Sequence, residues 1–228
     1  MTSCLLPMGE LHGKHLVTIE GLNMEKLSPI QNAMVNCGGT QCGYCTPGFV
    51  VCMTAGLMAP QVPLDSKGVL YAISGNLCRC TGYGSIRDAG KEAVNAVRDQ
   101  LKDKERIRAL VDAKALPEYF LDITDRLLKI PTYNTDNTQD PKRMRTLVAG
   151  GTDLYVQRRE KLIDEPITLL NTGKPIASAY ISDDKLVLDP RITFESFSTD
   201  PLVSSILKDI HKYNLLMASW PIRTRSTL

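Results

Sequence analysis

The cysteines constrain this chain more than any other feature. Seven stand at positions 4, 37, 42, 45, 52, 78 and 80, and all but Cys4 fall from Cys37 to Cys80. A secreted disulfide scaffold is normally short, with an even number of cysteines behind a signal peptide. This chain has 228 residues and an odd count, and Met1 to Pro7 has neither the basic n-region nor the apolar h-region of a signal. The expectation is a cytoplasmic chain whose reduced thiols hold a metal.

The spacing narrows the kind of metal. Cys42-Gly43-Tyr44-Cys45 is followed, about 32 residues later, by Cys78-Arg79-Cys80. Two residues between the first pair let both thiolates reach one centre from a tight loop, and Gly43 permits the sharp turn. Paired zinc ligands usually stand two to four residues apart, so a Cys-x-Cys pair is unusual for zinc. It places two sulfurs close together on one extended segment, a geometry compatible with a 2Fe-2S cluster held by four thiolates. Such a cluster is anionic and favours helix N-termini and backbone N–H donors. Cys45-Thr46-Pro47 puts a ligand just before a helix start, and Arg79 adds positive charge. Cys37 and Cys52 lie within helical segments and read as plain buried thiols, with substitution for one of the four ligands as the other reading. A single zinc on the same four thiolates stays open.

Other function classes find little support. Lys plus Arg number 27 against 25 Asp plus Glu, a net charge of +2, so no electrostatic footprint for nucleic acid is present. No apolar run approaches the roughly 20 residues of a membrane helix. His12, His15 and His211 match no metal-ligand spacing, and no Ser/His/Asp or paired-carboxylate constellation supports a hydrolase. No catalytic residue is assigned. Apolar residues make up 43% of the chain, enough for a core, but aromatics only 6%, so aliphatic side chains must fill it.

Local signals predict the organisation. Leu16-Val17-Thr18-Ile19 has the β-branched content of a strand. Ser28-Pro29 starts a helix that Gly38-Gly39 stops. A second helix, Phe49 to Met58, is apolar nearly all round. Asp65-Ser66 caps a third, Val69 to Ile73. A fourth, Ile86 to Leu101, carries Ala89, Ala93, Val94 and Val97 on one face. The cysteines then fall in loops between helices. Residues 102–108 are a charge run read as a solvated helix or linker, and 129–145 a Pro-, Asn- and Thr-bearing connector. Strand candidates follow at Thr146–Ala149, Ile167–Leu170 and Leu186–Leu188, with helices at Leu154–Leu162 and Leu202–Tyr213. Gly150-Gly151-Thr152-Asp153 can bring successive N–H groups to a phosphate.

Taken together, these residues resemble a known family. Gln41-Cys42-Gly43-Tyr44-Cys45-Thr46-Pro47-Gly48-Phe49 and Asn76-Leu77-Cys78-Arg79-Cys80-Thr81-Gly82-Tyr83, with Ile86, resemble the helical 2Fe-2S domain of molybdenum hydroxylases, the xanthine dehydrogenase family. Ser3-Cys4-Leu5-Leu6-Pro7 and Val17 to Leu22 are similar to the end of its plant-type ferredoxin domain. Leu147-Val148-Ala149-Gly150-Gly151-Thr152-Asp153-Leu154 resembles the first pyrophosphate loop of its FAD domain, and Trp220 to Leu228 the approach to the second.

The resemblance implies a multi-domain fold. Residues 1–25 would be a remnant of a β-grasp ferredoxin domain and 26–101 an all-α four-helix 2Fe-2S domain. Residues 102–145 would be a linker and 146–228 the first part of an α+β FAD-binding domain. It implies an oxidoreductase subunit that passes electrons from a molybdopterin centre through 2Fe-2S to FAD, then to NAD or another acceptor. Cys42, Cys45, Cys78 and Cys80 would hold the cluster, and Gln41 would contact molybdopterin. Leu147 to Asp153, with Ser226 and Thr227, would contact FAD. Cys4 matches the last ligand of a separate cluster whose other three cysteines have no counterpart here, so the chain is expected to be truncated at both ends and its FAD site incomplete. The implied partner is a molybdopterin-binding large subunit within a higher oligomer, without nucleic acid or membrane. A zinc-stabilised structural module or a non-functional fragment is the alternative.

Overall fold

Ser28 does what its position before Pro29 predicts. In the computed structural model, which describes residues 3–101, 105–131, 146–170 and 179–228, its hydroxyl accepts the Gln31 N–H at 3.3 Å. The Gln31 side chain in turn accepts the Ser28 N–H at 2.8 Å. This reciprocal capping box starts α1, Pro29–Asn36. Gly38 is left-handed, and the Gly38 and Gly39 N–H groups return to the Val35 and Met34 carbonyls, closing the helix in a Schellman turn.

The described residues divide into two compact units, 15–128 and 1–14 with 129–228. The first is helical. α2, Thr46–Met58, buries Phe49, Val50, Met53 and Leu57. α3, Ser66–Ala72, begins where Asp65 accepts the Lys67 and Gly68 N–H groups at 2.8 and 2.9 Å. α4, Gly84–Arg98, buries Ile86, Ala89, Ala93, Val94 and Val97, and a 3-10 turn carries it on to Leu101. α1 packs on α4, and α3 on both α2 and α4. Small residues set the closest approach: a Cβ at Gly90 would meet Val69 Cγ1 at 2.2 Å.

Two expectations change here. Residues 105–128, expected as part of a linker, fold into this unit as α5 (Arg106–Asp112), a 3-10 turn (Glu118–Leu121) and α6 (Ile123–Leu128). Ala109, Leu110, Leu116 and Phe120 join the same apolar cluster as Phe49 and Ile86. Arg106, read as part of a solvated run, instead donates to the carbonyls of Leu57, Ala59, Pro60 and Val62, closing the C-terminal end of α2. Leu16 to Ile19, expected as a strand, alternates exposed and half-buried side chains but has no ladder partner among the described residues. Val17 and Ile19 lie on the helical core, and Tyr119 Oη donates to the Gly21 carbonyl at 3.0 Å.

The second unit mixes short strands and helices. β1 (Thr146–Val148) runs parallel to β2 (Ile167–Leu169), with α7 (Thr152–Gln157) and α8 (Arg159–Asp164) between them in the chain. The single helix expected at Leu154–Leu162 is thus two, broken at Arg158. β3 (Tyr180–Ser182) and β4 (Lys185–Val187) form a hairpin whose central Asp183 and Asp184 are both left-handed, as a tight hairpin turn requires. α9 (Phe194–Thr199) follows. Leu202–Tyr213 is again two helices, α10 (Pro201–Ile206) and α11 (Ile210–Asn214), because Asp209 turns left-handed between them. α12 is Trp220–Arg223. Residues 3–14 belong to this unit as two 3-10 turns, so the expected ferredoxin remnant is divided between the units and holds no strand among its described residues.

Two buried ion pairs tie the second unit together. Arg223 Nε donates to Glu195 Oε2 at 3.0 Å. The Arg225 guanidinium makes two bonds to the Glu10 carboxylate, across 215 residues of sequence. No described helix is long and apolar enough to cross a membrane.

Candidate metal centre

The four sequence-predicted cysteines all lie at the N-terminal ends of the two longest helices. Cys45 is the N-cap of α2, and Cys42 stands three residues earlier in a loop where Gly43 is left-handed. Cys78 and Cys80 occupy the loop between α3 and α4. Folding the helices together brings the loops into contact: Cys42 Sγ and Cys80 Sγ are 3.4 Å apart, and the Cys45 and Cys78 side chains also touch. The sulfurs therefore sit as two pairs, each taking one cysteine from either motif. Among the described residues no three His, Cys, Asp or Glu side chains close on one point as a single-ion site requires.

Proton affinities follow the pairing. Cys42 is lowered, first by the Tyr44 N–H and then by the Cys80 thiol, which donates to it. Cys80 is raised by that same contact. Cys78 is lowered to about 7, first by the Thr81 hydroxyl and then by backbone N–H groups of Thr81 and Cys80. Cys45 is raised by burial and by Cys78. A metal takes these sulfurs as thiolates, so loading the site would release protons.

The residues fit a 2Fe-2S group on the chemistry of the donor set. All seven cysteines are free of disulfides. The two sulfur pairs include no carboxylate or imidazole, and they lie beside the N-termini of helices of 13 and 15 residues, whose positive ends favour an anionic group. The other thiols are engaged elsewhere. Cys37 donates to Glu92 Oε2 at 3.3 Å, and burial and that carboxylate push it up. Burial pushes Cys52 up within α2. Cys4 is exposed in the turn Ser3–Leu5, in the mixed unit. Gln41 is exposed in the loop just before Cys42.

Sequence reasoning missed two neighbours of Cys78. Thr81 gives its sulfur a hydroxyl at 3.1 Å and a backbone N–H at 3.5 Å. Tyr83 accepts the Cys78 N–H on its phenolic oxygen at 3.0 Å and holds a left-handed backbone as the N-cap of α4. That conformation costs a bulky residue about 1–2 kcal/mol. The signal was present in Cys80-Thr81-Gly82-Tyr83, but a conformation is not legible in residue types.

In the mixed unit the two segments expected to bind FAD come together. Gly150 N–H donates to Thr227 Oγ1 at 3.3 Å, and the Thr152 and Ser226 hydroxyls are 3.0 Å apart. A Cβ at Gly150 would meet the Arg225 carbonyl at 2.4 Å, so only glycine permits this approach. Val148, Gly150 and Gly151 are buried, Ala149 and Thr152 half-buried, and Leu147 and Asp153 exposed.

A sulfur-only site beside two helix N-termini is donor chemistry that iron–sulfur proteins use, and comparison with known proteins points the same way. Residues 18–91 match a family model described as a [2Fe-2S] binding domain, and proteins similar to this chain include xanthine dehydrogenases and aldehyde oxidases. The chain is 45% identical to aldehyde oxidase 1 of Cavia porcellus over 91 residues, 39% of this chain and 7% of that protein. It is 41% identical to xanthine dehydrogenase of Oryza sativa subsp. japonica over 103 residues, 44% of this chain and 7% of that protein. A solved quinoline 2-oxidoreductase of Pseudomonas putida 86 is 38% identical, covering 36% of this chain and 52% of its own, with a TM-score of 0.32. The chain thus spans a small part of the length of these curated relatives.

Proposed function

We propose that this chain is the electron-transfer portion of a molybdenum hydroxylase resembling xanthine dehydrogenase, working with a molybdopterin-binding large subunit or region. The observation that carries the reading is the presence of two Cys–Cys contacts, Cys42 with Cys80 and Cys45 with Cys78, between two loops at the N-termini of α2 and α4. When bound there, a 2Fe-2S cluster supplies one-electron storage. Cys42, Cys45, Cys78 and Cys80 would hold it as thiolates. The helix N-termini and loop N–H groups stabilise their negative charge, and α2 and α4 fix the loops to a packed core. Tyr44, 95% exposed, and Leu77, 83% exposed, flank the ligands and leave that edge open to a partner. Gln41, beside Cys42, would contact the pterin.

FAD contact is proposed for Leu147 to Asp153 with Ser226 and Thr227. The support is the packing of glycine backbone on the 225–227 backbone, which gathers N–H and hydroxyl groups from both segments. NAD or another acceptor would take the electrons from there. Cys4 would serve a second cluster whose remaining ligands lie outside this sequence.

Chemical analysis of the anaerobically purified chain tests the reading. About two irons and two acid-labile sulfides per chain are expected. One zinc without sulfide would replace the electron-transfer role with a structural one.

A further inference from the structure

Cys78 differs from the other three cysteines in how its surroundings are built. Residues 78 to 83 fold back on themselves. Gly82 and Tyr83 are consecutive left-handed residues, at φ 61° and 67°. This reversal aims the Tyr83 N–H at Thr81 Oγ1, 3.2 Å away. The Thr81 oxygen, having accepted that bond, has its own proton free to point at Cys78 Sγ, 3.1 Å away. The Thr81 N–H points at the same sulfur. The circuit closes where Cys78 N–H donates to the Tyr83 phenol. The tyrosine ring is held in turn by edge-on contact with Phe49, a fully buried side chain of α2, their centroids 6.5 Å apart. One strained residue thus joins the helical core to the orientation of a single hydroxyl on a single sulfur.

We propose that Thr81 and Tyr83 form a clasp that positions two hydrogen-bond donors on the Cys78 sulfur and thereby raises the one-electron reduction potential of a cluster bound there. The inference rests on the reading of the four cysteines as cluster ligands. Reduction adds one electron, supplied by dithionite in the test below, with no bond broken and no proton transferred. The added negative charge spreads onto the cysteine sulfurs, so donors aimed at a sulfur stabilise the reduced form more than the oxidised one. Thr81 touches the ligand and Tyr83 acts through Thr81 and the Cys78 backbone; both are positioning residues.

The test is an EPR-monitored redox titration of the full chain, reconstituted anaerobically with ferrous iron and sulfide. Thr81→Val keeps the side-chain shape and removes the hydroxyl. Its midpoint should fall by about 59 mV, a tenfold change in a one-electron equilibrium. Thr81→Ser should restore the wild-type potential. Tyr83→Phe keeps the ring against Phe49 but deprives the Cys78 N–H of its acceptor, and should shift the midpoint the same way by less. Iron content and thermal midpoint are read beside each potential, because a merely structural role would move those and leave the potential in place. A cluster-loaded Thr81→Val chain at the wild-type potential, or equal shifts in Thr81→Val and Thr81→Ser, would overturn the clasp. Should Thr81→Val bind no iron, Tyr83→Phe decides: a lowered potential supports the clasp and an unchanged one overturns it. A wild-type chain that takes up no iron and sulfide would instead remove the cluster reading beneath it.

Discussion

The helical unit and the mixed unit are stabilised by different means. Residues 15–128 share one apolar cluster that runs from Leu22 through Ile30, Phe49, Ile86 and Val97 to Phe120. Its helices α2 and α4 run 13 and 15 residues, and Ser28, Asp65 and Arg106 satisfy backbone groups at helix ends. The mixed unit has three-residue strands and helices of four to six residues. Its fully buried side chains include Ile192, Val148 and Val203, but also Glu10 and Asn214. Charged pairs occupy positions where the helical unit has aliphatic carbon. An apolar core tolerates small rearrangement without losing its driving force, whereas a buried ion pair is stabilising only while both partners are present.

Substitutions can break that contrast, and hydrogen exchange resolved by segment reads each one. Phe49→Ala should produce the largest loss, about 3–5 kcal/mol, with protection falling across α1 to α4. Glu10→Ala, which leaves the Arg225 charge unpaired at 3% side-chain exposure, should cost about 3–5 kcal/mol in the mixed unit. The double change Glu10→Met with Arg225→Met sharpens the point, because removing both charges should recover most of that loss. Arg106→Ala frees the carbonyls at the end of α2 and should cost about 1.5–3 kcal/mol in the helical unit. Ser28→Ala should cost about 1 kcal/mol through the lost cap. Lys212→Ala removes an exposed pair with Asp209 and should change stability by less than about 1 kcal/mol.

The contrast also explains what was legible in the sequence. Signals that act over one helical turn were read correctly: the Ser28 cap before Pro29, the Gly38-Gly39 stop, the Asp65 cap and the buried face of α4. The cysteine loops were legible for the same reason, since a CxxC and a CxC are local statements about reach. What escaped depends on contacts distant in sequence or on backbone conformation. Glu10 and Arg225 have nothing in their neighbourhoods to mark them as partners. Arg106 sits in a charge run that looks solvated, and only the fold reveals the carbonyls it meets. Leu16 to Ile19 has the alternation of a strand, and pairing is decided elsewhere. Tyr83 turns left-handed at a residue type that rarely does so, and Asp209 at a type that tolerates the conformation without requiring it; those turns divide Leu202–Tyr213 and build the Cys78 clasp.

The claim on which the rest depends is that Cys42, Cys45, Cys78 and Cys80 together hold one two-iron centre, and that Cys4, Cys37 and Cys52 hold none of it. Low-temperature EPR of the anaerobic, dithionite-reduced chain tests it most directly. One S = 1/2 spin per chain is expected, lost in Cys78→Ser and in Cys42→Ser and retained in Cys4→Ser, Cys37→Ser and Cys52→Ser. A full spin surviving in Cys78→Ser, or its disappearance in Cys37→Ser or Cys52→Ser, would contradict the assignment.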